Sequence, residues 1–162
     1  KLITEKICQA SQQYFGLKSC SLRIFSAYGP GLKKQILWDV YQKSISGDVI
    51  SLYGSGSETR DFIFITDIVN AIKIIIEKDN FSASVYNLAS SVEVSIKEVA
   101  LLLLEELGYK GEIIFTGSES KGDPVNWRAN IGRIKNIGFQ PDVTIGNGIK
   151  KYVAWLREEK LG

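Results

Sequence analysis

Four short segments hold the residue types that could do chemistry. Leu22-Arg23-Ile24-Phe25-Ser26-Ala27-Tyr28-Gly29-Pro30 reads as a strand ending in a sharp turn. Ligands of open α/β sheets bind just beyond the carboxyl ends of strands. Tyr53-Gly54-Ser55-Gly56-Ser57-Glu58-Thr59-Arg60-Asp61-Phe62 sets two glycines ahead of an Arg. Glycine lets a backbone approach a ligand closely, and an Arg can fork onto phosphate oxygens. Asp61 could orient Arg60 or pair with another cation. In Phe64-Ile65-Thr66-Asp67, Thr66 has the chemistry of a helix N-cap, with Asp67 in the first turn. Lys121-Gly122-Asp123-Pro124, followed by Asn126, Trp127 and Arg128, is a basic loop able to close over a phosphorylated ligand. Taken singly, each segment has a plainer reading: a strand-turn-helix connection, a glycine turn with a surface Arg, a helix cap and a solvated loop.

Composition removes several functions. The chain has no His, so His-based triads and His metal sites are excluded within it. Cys8 and Cys20 form no metal or redox spacing and read as small buried hydrophobes of a reducing cytosol. No metal is expected. The net charge of +2, with both signs interspersed, makes no electrostatic case for nucleic acid. No apolar run reaches the length of a membrane-spanning helix, and no signal peptide opens the chain. The sequence begins with Lys1 and contains no Met, so a preceding N-terminal part is expected.

Periodicity supplies the elements that must position these groups. Leu2 to Phe15 reads as a helix with Ile3, Ile7, Ala10 and Tyr14 on one face and Gly16 as its stop. A strand is expected from Cys20 to Ala27, a helix from about Lys34 to Ser46, and strands at Val49–Tyr53 and Arg60–Ile65. The next helix, about Asp67 to Lys78, is apolar on most sides and is expected to be buried by more than one neighbour. Val85–Ala89 resembles an interior parallel strand. Ser95 and Glu98 form a capping box for a helix that runs to Leu107, with Gly108 as its stop. Further expected elements are a strand at Ile113–Phe115, a turn of helix at Arg133–Ile137 and a helix from about Asn147 to Glu159. The alternation of strand and helix makes the class α/β.

The ordered succession RIFSAYGPG, ISLYGSGSETRDFIFITD, VYNLAS and KGDPVNWRANIGRIKNIGFQP resembles the extended short-chain dehydrogenase/reductases that act on nucleotide sugars. These include UDP-sugar 4-epimerases and dTDP- or GDP-sugar dehydratases. The family pattern runs R-[YF]-x-N-x-Y-G-P, G-x-G-x-x-x-R-D-[FY]-[IV]-x-V-x-D, Y-N-[IL], R-x-G-D and G-[WF]-x-P. The resemblance covers roughly residues 20–156. It also extends to the start, because Lys1-Leu2-Ile3-Thr4-Glu5 is similar to the stretch that follows the tyrosine of the family's Tyr-x-x-x-Lys motif.

The resemblance implies the C-terminal part of an NAD(P)-binding Rossmann-like fold with a small α/β substrate-binding lobe. Residues 1–93 would hold late Rossmann elements, interleaved with lobe segments at about 31–60, and residues 94–162 would be mainly lobe. The implied activity is nucleotide-sugar epimerisation or 4,6-dehydration through transient hydride transfer to NAD or NADP. Lys1 would be the catalytic lysine, lowering the pKa of a tyrosine four residues upstream and touching the cofactor. The Gly-rich cofactor fingerprint would lie further upstream still, so this chain alone is expected to be inactive. Phe25, Tyr28, Gly29 and Pro30 would lie beside the nicotinamide. The backbone near Ile50 and Leu52 would meet the base, Arg60 would bind the diphosphate, and Asp123 would bind a ribose hydroxyl or shape that loop. Ser26 stands where the family has Asn, and Ser120, with Lys121 beside it, where the family has Arg. Both changes touch the pocket for sugar and diphosphate, which leaves the substrate open. The implied setting is a cytoplasmic homodimer without nucleic-acid or membrane partners. A non-catalytic nucleotide-sugar-binding module and a reductase of the same fold are the alternatives.

Overall fold

The structure is a computed structural model that describes residues 1–117 and 124–161. Its elements are α1 (Leu2–Phe15), β1 (Ser19–Ile24), β2 (Ser26–Tyr28), α2 (Gln35–Ser44), β3 (Val49–Leu52), β4 (Thr59–Phe64), α3 (Ile65–Lys78), β5 (Ser82–Leu88), β6 (Glu93–Ser95), α4 (Ile96–Leu107), β7 (Glu112–Phe115), α5 (Gly132–Asn136) and α6 (Ile145–Leu161). Both expected glycine stops hold. Gly16 and Gly108 adopt left-handed φ values of 67° and 73°, which glycine reaches without a Cβ penalty. The capping box holds on its N-cap side, where Ser95 Oγ accepts the Glu98 N–H at 3.1 Å.

Parallel pairing dominates. β1 lies beside β5 with Leu22 opposite Tyr86 and Ile24 opposite Leu88. β2 lies beside β4 with Ser26 opposite Phe62, and β3 lies beside β7 with Ile50 opposite Ile113. Among the described residues only β6 runs antiparallel, along β4, with Arg60 opposite Val94. Successive strand residues point to opposite faces, and β4 uses this to separate two cores. Phe62 and Phe64 join the cluster built from α2, α4 and α6, with Val40, Leu103 and Val153 at its centre. Ile63 joins the other cluster, with Ile68, Leu88, Ile134 and Phe139.

Four expectations are corrected. The strand expected from Cys20 to Ala27 breaks at Phe25, where the chain changes partner from β5 to β4. Thr66 is not an N-cap: α3 starts at Ile65 after Phe64, with no side-chain cap bond. Extended strand leads directly into helix there, two residues earlier than local chemistry suggests. α3 is buried through Ile68, Ala71 and Ile75, while Val69 and Ile76 remain exposed. In this chain it therefore has one packed face and not several. Neither Cys8 nor Cys20 is fully buried, although both are free thiols.

α1 meets the sheet through its less apolar face. Glu5, Cys8, Ser11 and Gln12 are its half-buried positions. Glu5 forms a bidentate pair with Arg23 of β1, at 2.7 and 2.6 Å. Leu22, next to Arg23 on β1, packs with the α3 cluster. The two helices therefore cover opposite faces of the β1–β5 pair. The stripe Ile3, Ile7 and Tyr14 faces outward and is 76%, 59% and 74% exposed.

Candidate ligand-binding site

At Phe25 the chain passes from the β1–β5 pair to the sheet that holds β2 and β4. The Phe25 N–H still donates to Leu88 O at 3.0 Å, extending the β1–β5 ladder by one bond. Ala27 N–H then turns back onto Phe25 O at 2.7 Å, and the chain joins β4. A point where neighbouring strands part at their carboxyl ends leaves a crevice, the usual ligand position in such sheets. The half-buried Phe25 ring stands there, edge-on to Trp127 at 5.6 Å between centroids. The Arg60 guanidinium lies 6.0 Å from the Trp127 ring, within cation–π range. Arg60 Nη1 donates to Thr59 O at 2.7 Å and Pro124 O at 2.8 Å. This fixes the fork in place and ties the 124–127 segment to β4. Thr59 adds to the tie, since its N–H donates to Val125 O at 2.8 Å and its Oγ1 accepts from Trp127 N–H at 3.4 Å. The result is a corner with two aromatic rings and one positioned cation. It can stack a flat ring and hold an oxyanion.

Among the described residues Asp61 pairs with neither Arg60 nor any other cation. It is 1% exposed, and its carboxylate accepts from Ser90 N–H and Oγ at 2.9 and 2.8 Å, Ser91 N–H at 3.1 Å and Ala129 N–H at 3.0 Å. The strand alternation decides this, because consecutive residues Arg60 and Asp61 must point opposite ways. Asp61 thus holds the turn after β5 and the 128–130 segment beneath the crevice. Ser91 has φ 64°, a costly conformation for a side-chain-bearing residue, and the Asp61 bonds fix it. The only prior signal for this role was an acidic residue at an inward-facing strand position.

The glycine loop serves itself and does not lie open for a ligand. Glu58 folds back to accept from Ser55 N–H and Gly56 N–H, both at 2.8 Å. The Ser55 amide holds its carboxyl below the ordinary 4.5. A Cβ on Gly56 would meet the Phe115 ring at 2.7 Å, so this glycine answers to packing against β7.

The other expected site residues fall in two groups. Phe25 and Ser26 are half-buried at the crevice, Pro30 is exposed beyond it, and Lys1 is exposed at the start of α1. Tyr28, by contrast, is 3% exposed and packs edge-on against Phe62 and Phe64. Burial, with Asp67 nearby, pushes its phenol well above the ordinary range, which makes it a neutral core hydroxyl. Gly29 is buried with φ 148°, and a Cβ there would meet Ile65 Cγ2 at 2.6 Å. Ile50 and Leu52 have core side chains, 0% and 1% exposed. Lys121 and Asp123 lie outside the described residues. Asp67 carries more than the helix-dipole role read from sequence: it is buried and accepts from Asp142 and Val143 N–H at 3.3 and 3.1 Å.

The model of the NAD dependent epimerase/dehydratase family matches residues 1–89. The chain belongs to this family. UDP-glucuronic acid decarboxylase 1 of Xenopus tropicalis is 30% identical over 163 residues, covering 98% of this chain and 38% of that protein. The UDP-glucose 4-epimerase of Thermotoga maritima, solved with UDP-glucose, superposes with a TM-score of 0.87 at 25% identity. It is matched over 99% of this chain and 52% of its own. The UDP-glucuronic acid 4-epimerase of Bacillus cereus, solved with UDP-glucuronic acid and NAD, superposes equally well at 23% identity, over 98% of this chain and 51% of its own. The chain therefore spans from 38% to about half of the length of these relatives. The fold is that of a portion of a Rossmann-like epimerase/dehydratase, as its parallel pairs and opposed helices require. Among the described residues no group of His, Cys, Asp and Glu could hold a metal ion, and no helix is long and apolar enough to cross a membrane.

Proposed function

We propose that this chain is the sugar-nucleotide side of an NAD(P)-dependent epimerase or 4,6-dehydratase that acts on a nucleotide sugar. The observation that carries the reading is the corner of Phe25, Trp127 and Arg60 at the point where the chain passes from one sheet to the other. Arg60 binds the diphosphate, because its guanidinium is already held by two carbonyls and keeps donors for phosphate oxygens. Ser26 faces the sugar and diphosphate, the backbone at 50–52 meets the base, and Lys121 and Asp123 close over the ribose. Residues 1–93 supply Rossmann elements with lobe segments at about 31–60, and residues 94–162 supply mainly lobe. The separation of the two cores by β4 supports this division.

The residues present fit a nicotinamide cofactor. Phe25 and the exposed Pro30 offer apolar surface at the crevice, and Lys1 offers a cation at the exposed start of α1. Gly29 contributes backbone, and the buried Tyr28 acts by supporting that turn. NAD(P) bound there would supply reversible hydride transfer with the sugar. Lys1 holds a positive charge where it lowers the pKa of the tyrosine expected four residues upstream. A cytosolic location fits, since Cys8 and Cys20 are free.

Calorimetric titration with UDP-glucose, dTDP-glucose and GDP-mannose tests the clamp. Arg60→Ala is expected to weaken the best of them by about 10–100-fold, the worth of a charge-assisted hydrogen bond. Unchanged affinity sinks the assignment.

A homodimer is also proposed, through the outward stripe Ile3, Ile7 and Tyr14 of α1. Contiguous exposed apolar surface marks interaction sites. Sedimentation velocity should show a dimer that Ile7→Glu converts to monomer. A wild-type monomer at every concentration tested ends this proposal.

A further inference from the structure

A second guanidinium lies outside the Arg60 corner. Arg128 lines an open cavity of about 390 Å³ together with Ser91, Ala129 and Asn130. Its Nε donates to Ser91 O at 2.9 Å, which sets the plane of the guanidinium while leaving its other donors. Among the described residues no carboxylate pairs with it. Asn130 Oδ1 accepts Gly132 N–H at 2.8 Å, while its Nδ2 group, with two donors, makes no hydrogen bond among the described residues. Ser91 Oγ donates to Ala129 O at 3.1 Å. Asp61, beneath, has both oxygens engaged by the Ser91 and Ala129 amides.

The wall is thus rich in donors, and its nearest carboxylate is saturated. An oxyanion complements such a wall, and the planar fork of an Arg suits carboxylate or phosphate. The cavity is also separate from the Arg60 corner. Arg60 and Asp61 point to opposite faces of β4; Arg60 goes with Pro124 and Trp127, and Asp61 with Ser91 and Ala129.

We propose that Arg128 and Asn130 form an oxyanion-binding subsite distinct from the Arg60 corner, which takes a carboxylate or a phosphate. The cavity is preorganised, because the Asp61 bonds hold its wall in the strained Ser91 conformation before any ligand arrives.

The test uses ¹⁵N-labelled protein at matched ionic strength, with glucuronate as the carboxylate probe and inorganic pyrophosphate as the phosphate probe. Saturable shifts of the Arg128 Nε–H and Asn130 Nδ2 signals are expected with at least one probe, and the responding probe identifies the source chemistry. Arg128→Gln should weaken that response, read at Asn130, by about tenfold or more, whereas Arg60→Ala should leave the Arg128 response in place. Absence of saturable shifts with both probes overturns the proposal, as does an undiminished response in Arg128→Gln. A response that disappears in Arg60→Ala also overturns it, because the two sites would then be one. Failure of the nucleotide-sugar reading shows separately, as UDP-glucose affinity that Arg60→Ala leaves unchanged.

Discussion

Asp61→Ala is expected to destabilise the protein by about 3–5 kcal/mol, seen as a lower urea midpoint. The substitution leaves the Ser90, Ser91 and Ala129 amides, with the Ser90 hydroxyl, facing a void. Each buried donor stripped of its partner costs about 1–3 kcal/mol. The penalties do not add fully, since the turn can relax and water can enter. Asp61→Asn is expected to fall between wild type and Ala, because one oxygen remains to accept while the new NH2 group faces other donors. Damage should concentrate at residues 90–91 and 128–130, which amide hydrogen exchange would resolve. A loss under about 1 kcal/mol for Asp61→Ala would mean that solvent replaces the carboxylate and that the crevice floor is not rigid.

Gly148→Ala carries the second large effect, and its sign is opposite to what helix propensity gives. Alanine is favoured over glycine inside a helix by about 1 kcal/mol. In α6, however, a Cβ at position 148 would meet the Tyr28 hydroxyl oxygen at 2.0 Å and Tyr28 Cζ at 2.6 Å. Tyr28 is 3% exposed and wedged between Phe62 and Phe64, so its ring has nowhere to withdraw. Overpacking of this kind typically costs about 1–3 kcal/mol, and the sum here is expected near 2 kcal/mol of destabilisation. Gly146→Ala is the internal control. It lies in the same helix with nothing within 4 Å, and should be neutral or gain up to about 1 kcal/mol. Thermal or urea unfolding of both variants checks the contrast. Equal behaviour of the two would show that the Tyr28–α6 contact is loose.

Both effects come from long-range contacts, and they mark where sequence reading stops. Helix ends were readable because their causes are local. Gly16 and Gly108 reach left-handed φ without penalty, and the Ser95 hydroxyl caps an amide three residues away. Thr66 shows the weakness of local chemistry used alone: the hydroxyl was available, but β4 runs straight into α3 and no cap bond forms. The α1 periodicity marked out an apolar face correctly. It could not show that the opposite, polar face docks on β1 through Glu5 and Arg23.

The candidate site divides in the same way. Order of motifs along the chain determined the class and the family and singled out Arg60 for the proposed clamp, because those readings depend on which residues follow one another. Tertiary structure alone decided what each group touches. It turned Tyr28, Ile50 and Leu52 inward, gave the Glu58 carboxylate to the glycine loop, and set Asp61 on backbone amides from two distant segments. It also brought Trp127 to Phe25 and Arg60, which lie 102 and 67 residues away in sequence. The physical reason is that a strand alternates its faces while its neighbours come from far away in sequence. Parity along β4 can be read residue by residue. The occupant of each side depends on where residues 90–91 and 124–130 come to rest, and only the packed molecule determines that.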